Sequence, residues 1–569
     1  IYDFYQEDRY YYNGHVVNAY LDYGHSWGKH NFSAVAGGNF EDFRSSKLSV
    51  RQKGSLSEKL SFINMAQGEI ERCVESNTAY RTLGYFARAN YDYAGKYLFE
   101  VSARYDGSSR FAANDRWGFF PSASAGWRIS EEKFWEPMRN WWDNAKVRFS
   151  YGSLGNQQVS NYYYIETIST GQLGYTFNGT EKANYASASN PISDGLTWET
   201  VVTYNLGFDL GFLKNRLNVT ADLYIRDTKG ILGKGKSLPS IYGAGEPQVN
   251  SNNLRTKGYE LVLGWRDSFE LAGSTFSYGV TGSFSDYTAK YTKCDNPSGL
   301  IGDPYVGKKY GEIWGYKVDG LFRTDEEAAE YASKVDLSTV AAGYYSATGA
   351  YGKGVRAGDI KYLDLNGDNI VNGGKGTLED PGDRRVIGNS SPRYQYGATL
   401  NFSWYGFDVS VFMQGIGRLD WYPGADNLRF WGPYCRPYAT FIPKNFMSRV
   451  WSEENPDAYF PRARAYTSLN STQGTAYYTN DRYLQNLAYC RLKNLQLSYT
   501  FPSSVTKALR VHGLMVYANA TNLFTISNYY DGYDPETAYQ GGSQGATTGS
   551  IGNNYPLVST YTFGVEIKF

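Results

Sequence analysis

The chain has 569 residues, and its 56 basic and 56 acidic side chains cancel to a formal net charge of zero, so no overall field draws it to a polyanion and a nucleic-acid-binding role is excluded. It carries 54 Tyr, 13 Trp, 30 Phe and 62 Gly beside 5 Met, a balance that suits strands and turns. Mean hydropathy is −0.51 and no apolar run reaches the ~18 residues of a membrane helix, which excludes a helical membrane protein but leaves a membrane β-barrel open, because its strands alternate lipid-facing with lumen-facing residues.

Period-two alternation predicts strands, in chain order, near 15–24, 31–40, 83–93, 97–105, 120–129, 145–152, 201–212, 216–228, 257–266, 275–286, 394–404, 407–415, 490–500, 514–522 and 561–569, about fifteen in all. The third and fourth set Leu83, Tyr85, Ala87, Ala89, Tyr91 and Tyr93 against Arg88, Asn90 and Asp92, and join through Ala94-Gly95 as a tight hairpin. The last places Tyr561, Phe563, Val565, Ile567 and Phe569 on one face and Thr562, Gly564, Glu566 and Lys568 on the other. A soluble sandwich also alternates, but the connections point elsewhere.

Those at 25–30, 94–95, 130–144, 213–215, 267–274, 405–406 and 501–513 read as short, the third with a helix. Those at 41–81, 107–119, 153–200, 229–256, 287–393, 416–489 and 523–560 read as long. Strict alternation of loop length is the habit of outer-membrane barrels, with short periplasmic turns and long extracellular loops. The fold class expected is all-β, a transmembrane antiparallel barrel. An odd strand count ending in the periplasm further implies at least one strand before residue 15, so the sequence reads as truncated at its N-terminus.

Several segments carry a family resemblance in order along the chain. They are Phe119-Phe120-Pro121-Ser122 to Gly126-Trp127-Arg128-Ile129, Gly152-Ser153-Leu154-Gly155-Asn156-Gln157, Trp198-Glu199-Thr200 to Tyr204-Asn205-Leu206-Gly207, and Ile313-Trp314-Gly315-Tyr316 with Asp319-Gly320-Leu321-Phe322. Further on come Gly358-Asp359-Ile360 through Asp368, Asp383-Arg384-Arg385-Val386-Ile387-Gly388-Asn389, and Ala520-Thr521-Asn522-Leu523-Phe524 followed by Asp534-Pro535-Glu536. The chain resembles the C-terminal part of a SusC/RagA-type TonB-dependent outer-membrane transporter. The resemblance implies a barrel of about 22 strands closed by an N-terminal plug, a TonB-contacting segment, and a SusD-like surface lipoprotein as partner, with oligosaccharides or peptides as cargo in the outer membrane of a Gram-negative bacterium. Residues 1–569 would then be the C-terminal part of the barrel with no plug and about seven strands fewer, either through cleavage or because the rest lies in another chain.

The strongest chemical motif lies in the 287–393 loop. Asp364, Asn366, Asp368 and Asn372 place side-chain oxygens at relative positions 1, 3, 5 and 9, and Ile370 offers its carbonyl at 7, a spacing that suits Ca2+. Lys375 stands where an EF-hand has its bidentate acid; in the family pattern the resemblance implies Asp383 instead, with the Gly-Gly-Lys-Gly-Thr stretch as an insertion. The same residues also suit an Asx-rich turn without an ion. Trp421, Tyr422, Arg429, Trp431 and Tyr434 form an aromatic loop expected to contact ligand, self-packing being its bland alternative. Thr324-Asp325-Glu326-Glu327 opens a helix with a capping box, and Phe569 resembles a barrel-assembly signal.

No catalytic site is expected. Gly541-Gly542-Ser543-Gln544-Gly545 fits G-x-S-x-G but lacks a strand-turn-helix setting. His15, His25, His30 and His512 show no metal spacing, and Cys73, Cys294, Cys435 and Cys490 show no C-x-x-C. The expected function is TonB-dependent import of oligosaccharides, because outward loops are rich in Trp and Tyr while lumen positions are mostly Ser, Thr, Asn and Gly. A peptide importer, a passive porin and a secreted β-rich glycan-binding module are the alternatives.

Overall fold

The computed structural model describes residues 4–54, 62–176, 179, 181–187, 191–193, 195–235, 238–239, 241, 243, 245–345, 354–424, 427–434, 442, 444–464, 476–527, 534–538 and 556–569. Fifteen strands form one antiparallel sheet in sequential order. They are β1 (Phe4–Trp27), β2 (His30–Lys53), β3 (Ile70–Tyr93), β4 (Tyr97–Ser108), β5 (Trp117–Arg128), β6 (Trp142–Asn156), β7 (Glu199–Phe212) and β8 (Leu217–Lys234). The sheet continues with β9 (Gln248–Leu271), β10 (Ser274–Lys293), β11 (Arg393–Trp404), β12 (Phe407–Arg418), β13 (Tyr489–Thr500), β14 (Gly513–Ser527) and β15 (Thr560–Lys568). All fifteen expected strands are present, and β1 and β15 are the two edges of the sheet.

Register sets the faces. Trp27 pairs with His30, His30 with Tyr93, Tyr93 with Tyr97 and Tyr97 with Trp127. Because side chains alternate, these residues share one face, where Trp27, His30, Tyr93, Tyr97 and Trp127 stack in a row along the short-turn end. Such a row of amphipathic rings marks a membrane interface. The Ala94-Gly95 turn closes there with both residues at positive φ (54° and 68°), the geometry that matches strand twist in a two-residue hairpin.

From that row the outer face stays apolar until it meets a charge. On β2 it runs from His30 through Phe32, Ala34, Ala36 and Gly38 to Phe40, and Asp42 follows; on β3 it runs from Tyr93 to Leu83, and Arg81 follows. Asp42 and Arg81 face each other across the ladder at 2.5 Å. The same event recurs on β8 and β9, where Asp227 follows Ile225 and is gripped by both guanidinium arms of Arg255 at 2.7 and 2.8 Å. On β10, Asp286 follows Phe284 and is gripped by Arg393 at 2.6 Å. His30 to Phe40 measures about 34 Å along the strand at ~3.4 Å per residue, and at a tilt of ~40° about 26 Å of height, which matches the ~25 Å apolar band of such barrels. Asp-Arg pairs thus collar the band at its outer boundary.

Several strands overrun that boundary. β1, β2 and β3 are 24 residues each, against expectations near 15–24, 31–40 and 83–93, and β9 and β10 also extend beyond theirs. Above the collar both faces meet water, so alternation disappears while backbone pairing continues; a period-two search stops where the ladder does not. The 41–81 connection shrinks to 54–69 and 107–119 to 109–116, which is shorter than 129–141 or 501–512. Length alternation is therefore not strict: the two turns on the short side are lengthened by 3-10 helices at Ile129–Glu131 and Lys133–Met138 and by a helix at Ser503–Ala508. Depth makes a quantitative prediction. Val101, 57 % exposed at the centre of the apolar row of β4, changed to Arg should cost about 2–4 kcal/mol, whereas Tyr11→Arg, above the collar, should cost no more than about 0.5 kcal/mol; urea titration of the heat-modifiable band in phospholipid vesicles measures both.

Candidate functional site

The connections 294–392 and 419–488 leave neighbouring strand ends and build one packed module. Its ribbons pair Glu312–Tyr316 with Arg384–Asn389, Val318–Leu321 with Ile360–Tyr362, and Asp420–Trp421 with Gln485–Asn486, while Val450–Trp451 lies parallel to Phe460–Arg462. The first two ribbons belong to one connection and the last two to the other, yet a single core joins them. Phe322, Tyr344, Val355, Ile360, Tyr362 and Val371 come from the first; Tyr422, Phe430, Trp431, Tyr434, Phe446, Trp451, Phe460 and Tyr483 come from the second. The 287–393 segment, expected to stand as one loop, is thus half of a shared core. Rings of the two connections meet directly, Tyr316 and Tyr478 at 5.8 Å.

Helix α1 (Asp325–Lys334) starts as its capping box requires: the Thr324 hydroxyl accepts from the Glu327 N–H at 3.1 Å, and the Glu327 carboxylate accepts from the Arg323 N–H at 2.7 Å. Beside it, Asp359 is buried against Arg464, whose Nε approaches at 2.9 Å. Burial pushes the Asp359 carboxyl up to about 6 against the opposing pull of Arg464. Gly358 precedes it at φ 84°, where a Cβ would collide with the Trp451 ring. Asn480, fully buried, donates to the Tyr422 hydroxyl at 3.2 Å and to the Tyr478 carbonyl at 2.9 Å, and its own oxygen accepts from the Tyr483 N–H at 3.2 Å.

This core contains three of the aromatic residues expected to meet ligand, Tyr422, Trp431 and Tyr434, while Trp421 is buried in a smaller cluster with Leu419, Leu487 and Ala538. Trp431 is fully buried, and Trp421, Tyr422 and Tyr434 are no more than 3 % exposed. The Trp431 indole donates to the carbonyls of Pro423 and Gly424 at 3.1 and 3.0 Å, and the Tyr434 hydroxyl donates to the Pro461 carbonyl at 2.5 Å; burial holds the Tyr434 phenol above its ordinary pKa. The expected ligand platform at Trp421, Tyr422, Trp431 and Tyr434 is therefore corrected: Tyr422, Trp431 and Tyr434 are buried in the shared core, and Trp421 is buried against Leu419, Leu487 and Ala538. The side chain of Arg429 lies outside the described residues, as do Cys435 and Gly541 to Gly545.

The acidic motif forms a tight loop at the module's edge. Asp364 accepts from the N–H groups of Gly367 (2.7 Å) and Asn369 (2.9 Å), Asp368 from Ile370 (2.8 Å), and Asn372 from Gly374 (2.6 Å). Asn366 donates to Asp368 at 2.9 Å. Asp383, fully buried, spans the loop by accepting from Leu365 at 2.7 Å and from Asn372 at 2.9 Å. Gly367 and Asn369 sit at φ 79° and 65°. Among the described residues no three His, Cys, Asp or Glu side chains stand close enough to hold a metal by themselves, so an ion here needs the amide and main-chain oxygens too.

One site escaped sequence reasoning. Arg491 of β13, 3 % exposed in its side chain, meets Asp534 at 2.6 Å and Glu536 at 2.8 Å, and Lys493 meets Glu536 at 2.9 Å. Asp534-Pro535-Glu536, legible only as part of a resemblance, staples the last connection to the strand wall, and Ala538 tucks against Trp421 and Leu487. The paired acids two residues apart were the available signal; their basic partners, more than 40 positions earlier, were not. Phe569 continues the outer apolar row of β15 at 89 % exposure.

A sequential antiparallel sheet with an apolar band and an extracellular module is the barrel architecture of outer-membrane receptors, and the family described as TonB dependent receptor-like, beta-barrel matches residues 1–523. The chain belongs to that family. This receptor chain is 26 % identical over 567 residues to TonB-dependent receptor P3 of Formosa agariphila, covering 97 % of the chain and 52 % of that protein. It is 25 % identical over 570 residues to TonB-dependent receptor SusC of Bacteroides thetaiotaomicron, covering 97 % of the chain and 50 % of that protein. In fold it is similar to a solved structure titled as the RagAB peptide transporter, with TM-score 0.74 and 21 % identity over 99 % of this chain and 56 % of that one. The receptor chain spans about half the length of these relatives. It is a SusC-type receptor of the Gram-negative outer membrane, in a family of transporters rather than enzymes.

Burial of Trp431 sets its mutational cost. Trp431→Ala should destabilise the receptor's extracellular module by about 3–5 kcal/mol and leave the membrane strands folded; limited proteolysis of intact vesicles should then cut within 419–488 while heat-modifiability is kept.

Proposed function

We propose that the complete receptor imports oligosaccharides, drawing energy through TonB and working beside a SusD-like surface lipoprotein. Family membership supports active import over passive diffusion. The substrate choice is carried by the inner face of the wall, where hydroxyls and amides meet across strands. Ser102 and Ser122 are 2.6 Å apart, Asn39 donates to Asn18 at 2.6 Å, Asn90 to Ser33 at 3.3 Å and Asn519 to Asn494 at 2.6 Å. On the same face Arg148 pairs with Asp209 at 2.7 Å and Asp222 at 3.2 Å, and Arg104 with Asp106 at 2.8 Å. A wall lined by so many hydroxyls and amides suits a hydroxyl-rich solute. Calorimetry on the receptor with its lipoprotein should give heat with defined neutral oligosaccharides and none with peptides of similar mass. Heat with peptides alone would overturn the substrate and leave the importer reading in place.

The acidic loop, in the same proposal, holds one Ca2+ through Asp364, Asn366, Asp368, the Ile370 carbonyl and Asp383, with Asn372 at its margin. The support is a hard-oxygen donor set on a loop whose sixth position, Asn369, takes the positive φ that such loops need. The ion would stiffen the module edge without a chemical role. Titrating Ca2+ into chelator-treated receptor should show one site that Asp368→Ala abolishes; an identical melting temperature with and without Ca2+ counts against it.

A further inference from the structure

The upper halves of β1, β2 and β3 stand above the Asp-Arg collar as a three-stranded wall. By register its inner face carries Tyr10, Tyr12, Phe43 and Tyr80, because Gly14 pairs with Phe43 and Phe43 with Tyr80, and all lie opposite to the face that bears Asp42 and Arg81. The four rings run as a continuous strip across the strands. Tyr10 and Tyr12 are parallel within 8° with centroids 6.2 Å apart, Tyr12 is 6.2 Å from Phe43 at 30°, and Phe43 is 5.3 Å from Tyr80 at 29°. Unlike the module's aromatic residues, Tyr10 and Tyr12 are open, at 53 % and 62 % exposure, while Phe43 and Tyr80 are half-buried.

We infer that this strip is a sugar-binding subsite on the inner wall of the extracellular vestibule, which takes the flat apolar faces of a neutral oligosaccharide before it enters the lumen. The inference rests on the oligosaccharide reading above. Its occupant follows from the ring faces and from the polar groups that border the strip. Lys47 lies 3.7 Å from Asp8 and 5.0 Å over the Tyr10 ring. The Tyr80 hydroxyl donates to Glu41 at 2.8 Å, and the Arg110 guanidinium covers the Tyr80 ring at 4.4 Å. Arg51 donates to the Gln6 side chain at 2.8 and 2.6 Å. A pyranose finds ring faces for its C–H groups and carboxylates and hydroxyls at the rim for its O–H groups. The 157–198 connection closes one side of the strip, through Asn161 donating to Thr78 at 2.6 Å and the Ala79 N–H donating to the Tyr162 hydroxyl at 3.0 Å.

The test is calorimetry on the full receptor with its lipoprotein, titrated with a panel of defined linear neutral oligosaccharides. Tyr10→Ala with Tyr12→Ala should weaken binding at least tenfold, and Tyr10→Phe with Tyr12→Phe should stay within twofold of the native receptor, because the ring face and not the hydroxyl makes the contact. Phe43→Leu keeps apolar volume, removes the flat face and should also lose tenfold, which covers the case in which the double Ala variant fails to insert; heat-modifiability reports insertion for each. Native affinity in the inserted Ala and Leu variants overturns the strip as a subsite while the oligosaccharide reading stands. Native receptor that binds peptides and no oligosaccharide overturns both.

Discussion

Hydrocarbon offers no partner to a main-chain N–H or C=O, and every other feature of this receptor chain accommodates that constraint. In the band between the aromatic row and the Asp-Arg collar, every strand from β2 to β14 is paired on both flanks, so the sheet is continuous and its connections are confined to the two ends. Side-chain alternation then has no freedom left: whatever faces lipid is apolar, and whatever faces inward can be polar. The wall's hydroxyl, amide and ion-pair lining is a consequence of the same register that makes its outside greasy.

Charge placement shows how sharply the boundary is drawn. Asp42-Arg81, Asp227-Arg255 and Asp286-Arg393 each occur one step beyond the last apolar outer residue. An ion pair at that level is wetted on one side and restrained by neighbouring strands on the other, so it tolerates the interface and resists sliding into the band. Asp286-Arg393 also pins the two strands between which the 294–392 connection leaves and returns. The module is therefore anchored at its root by the collar, and the last connection is held by the buried Arg491 pair with Asp534 and Glu536, where loss of one partner strands a buried charge.

Aromatic residues serve three environments in one chain. At the short-turn end they lie at the interface; in the module they are the core; on the upper wall they stand open in solvent. Composition counts them alike. What separates them is whether a neighbour from a distant part of the chain arrives to cover the ring, as Phe460 and Tyr483 do for Trp431 and as nothing among the described residues does for Tyr12.

The sequence by itself determined the number and order of the strands, the face each residue takes within the band, the side on which the long connections lie and the capping box before α1. All of these are local, set by a period of two or by a few adjacent residues. Family membership was legible as well, since its motifs lie at turns and strand ends whose geometry is also local. Only the tertiary structure decided that two connections share one core that buries Tyr422, Trp431 and Tyr434, that Trp421 is buried beside Ala538 of the last connection, that Arg491 finds Asp534 and Glu536, and that β1 to β3 continue far above the membrane. Burial depends on which remote segments meet, and strand length above the collar depends on backbone pairing, to which side-chain pattern is blind once both faces are wet.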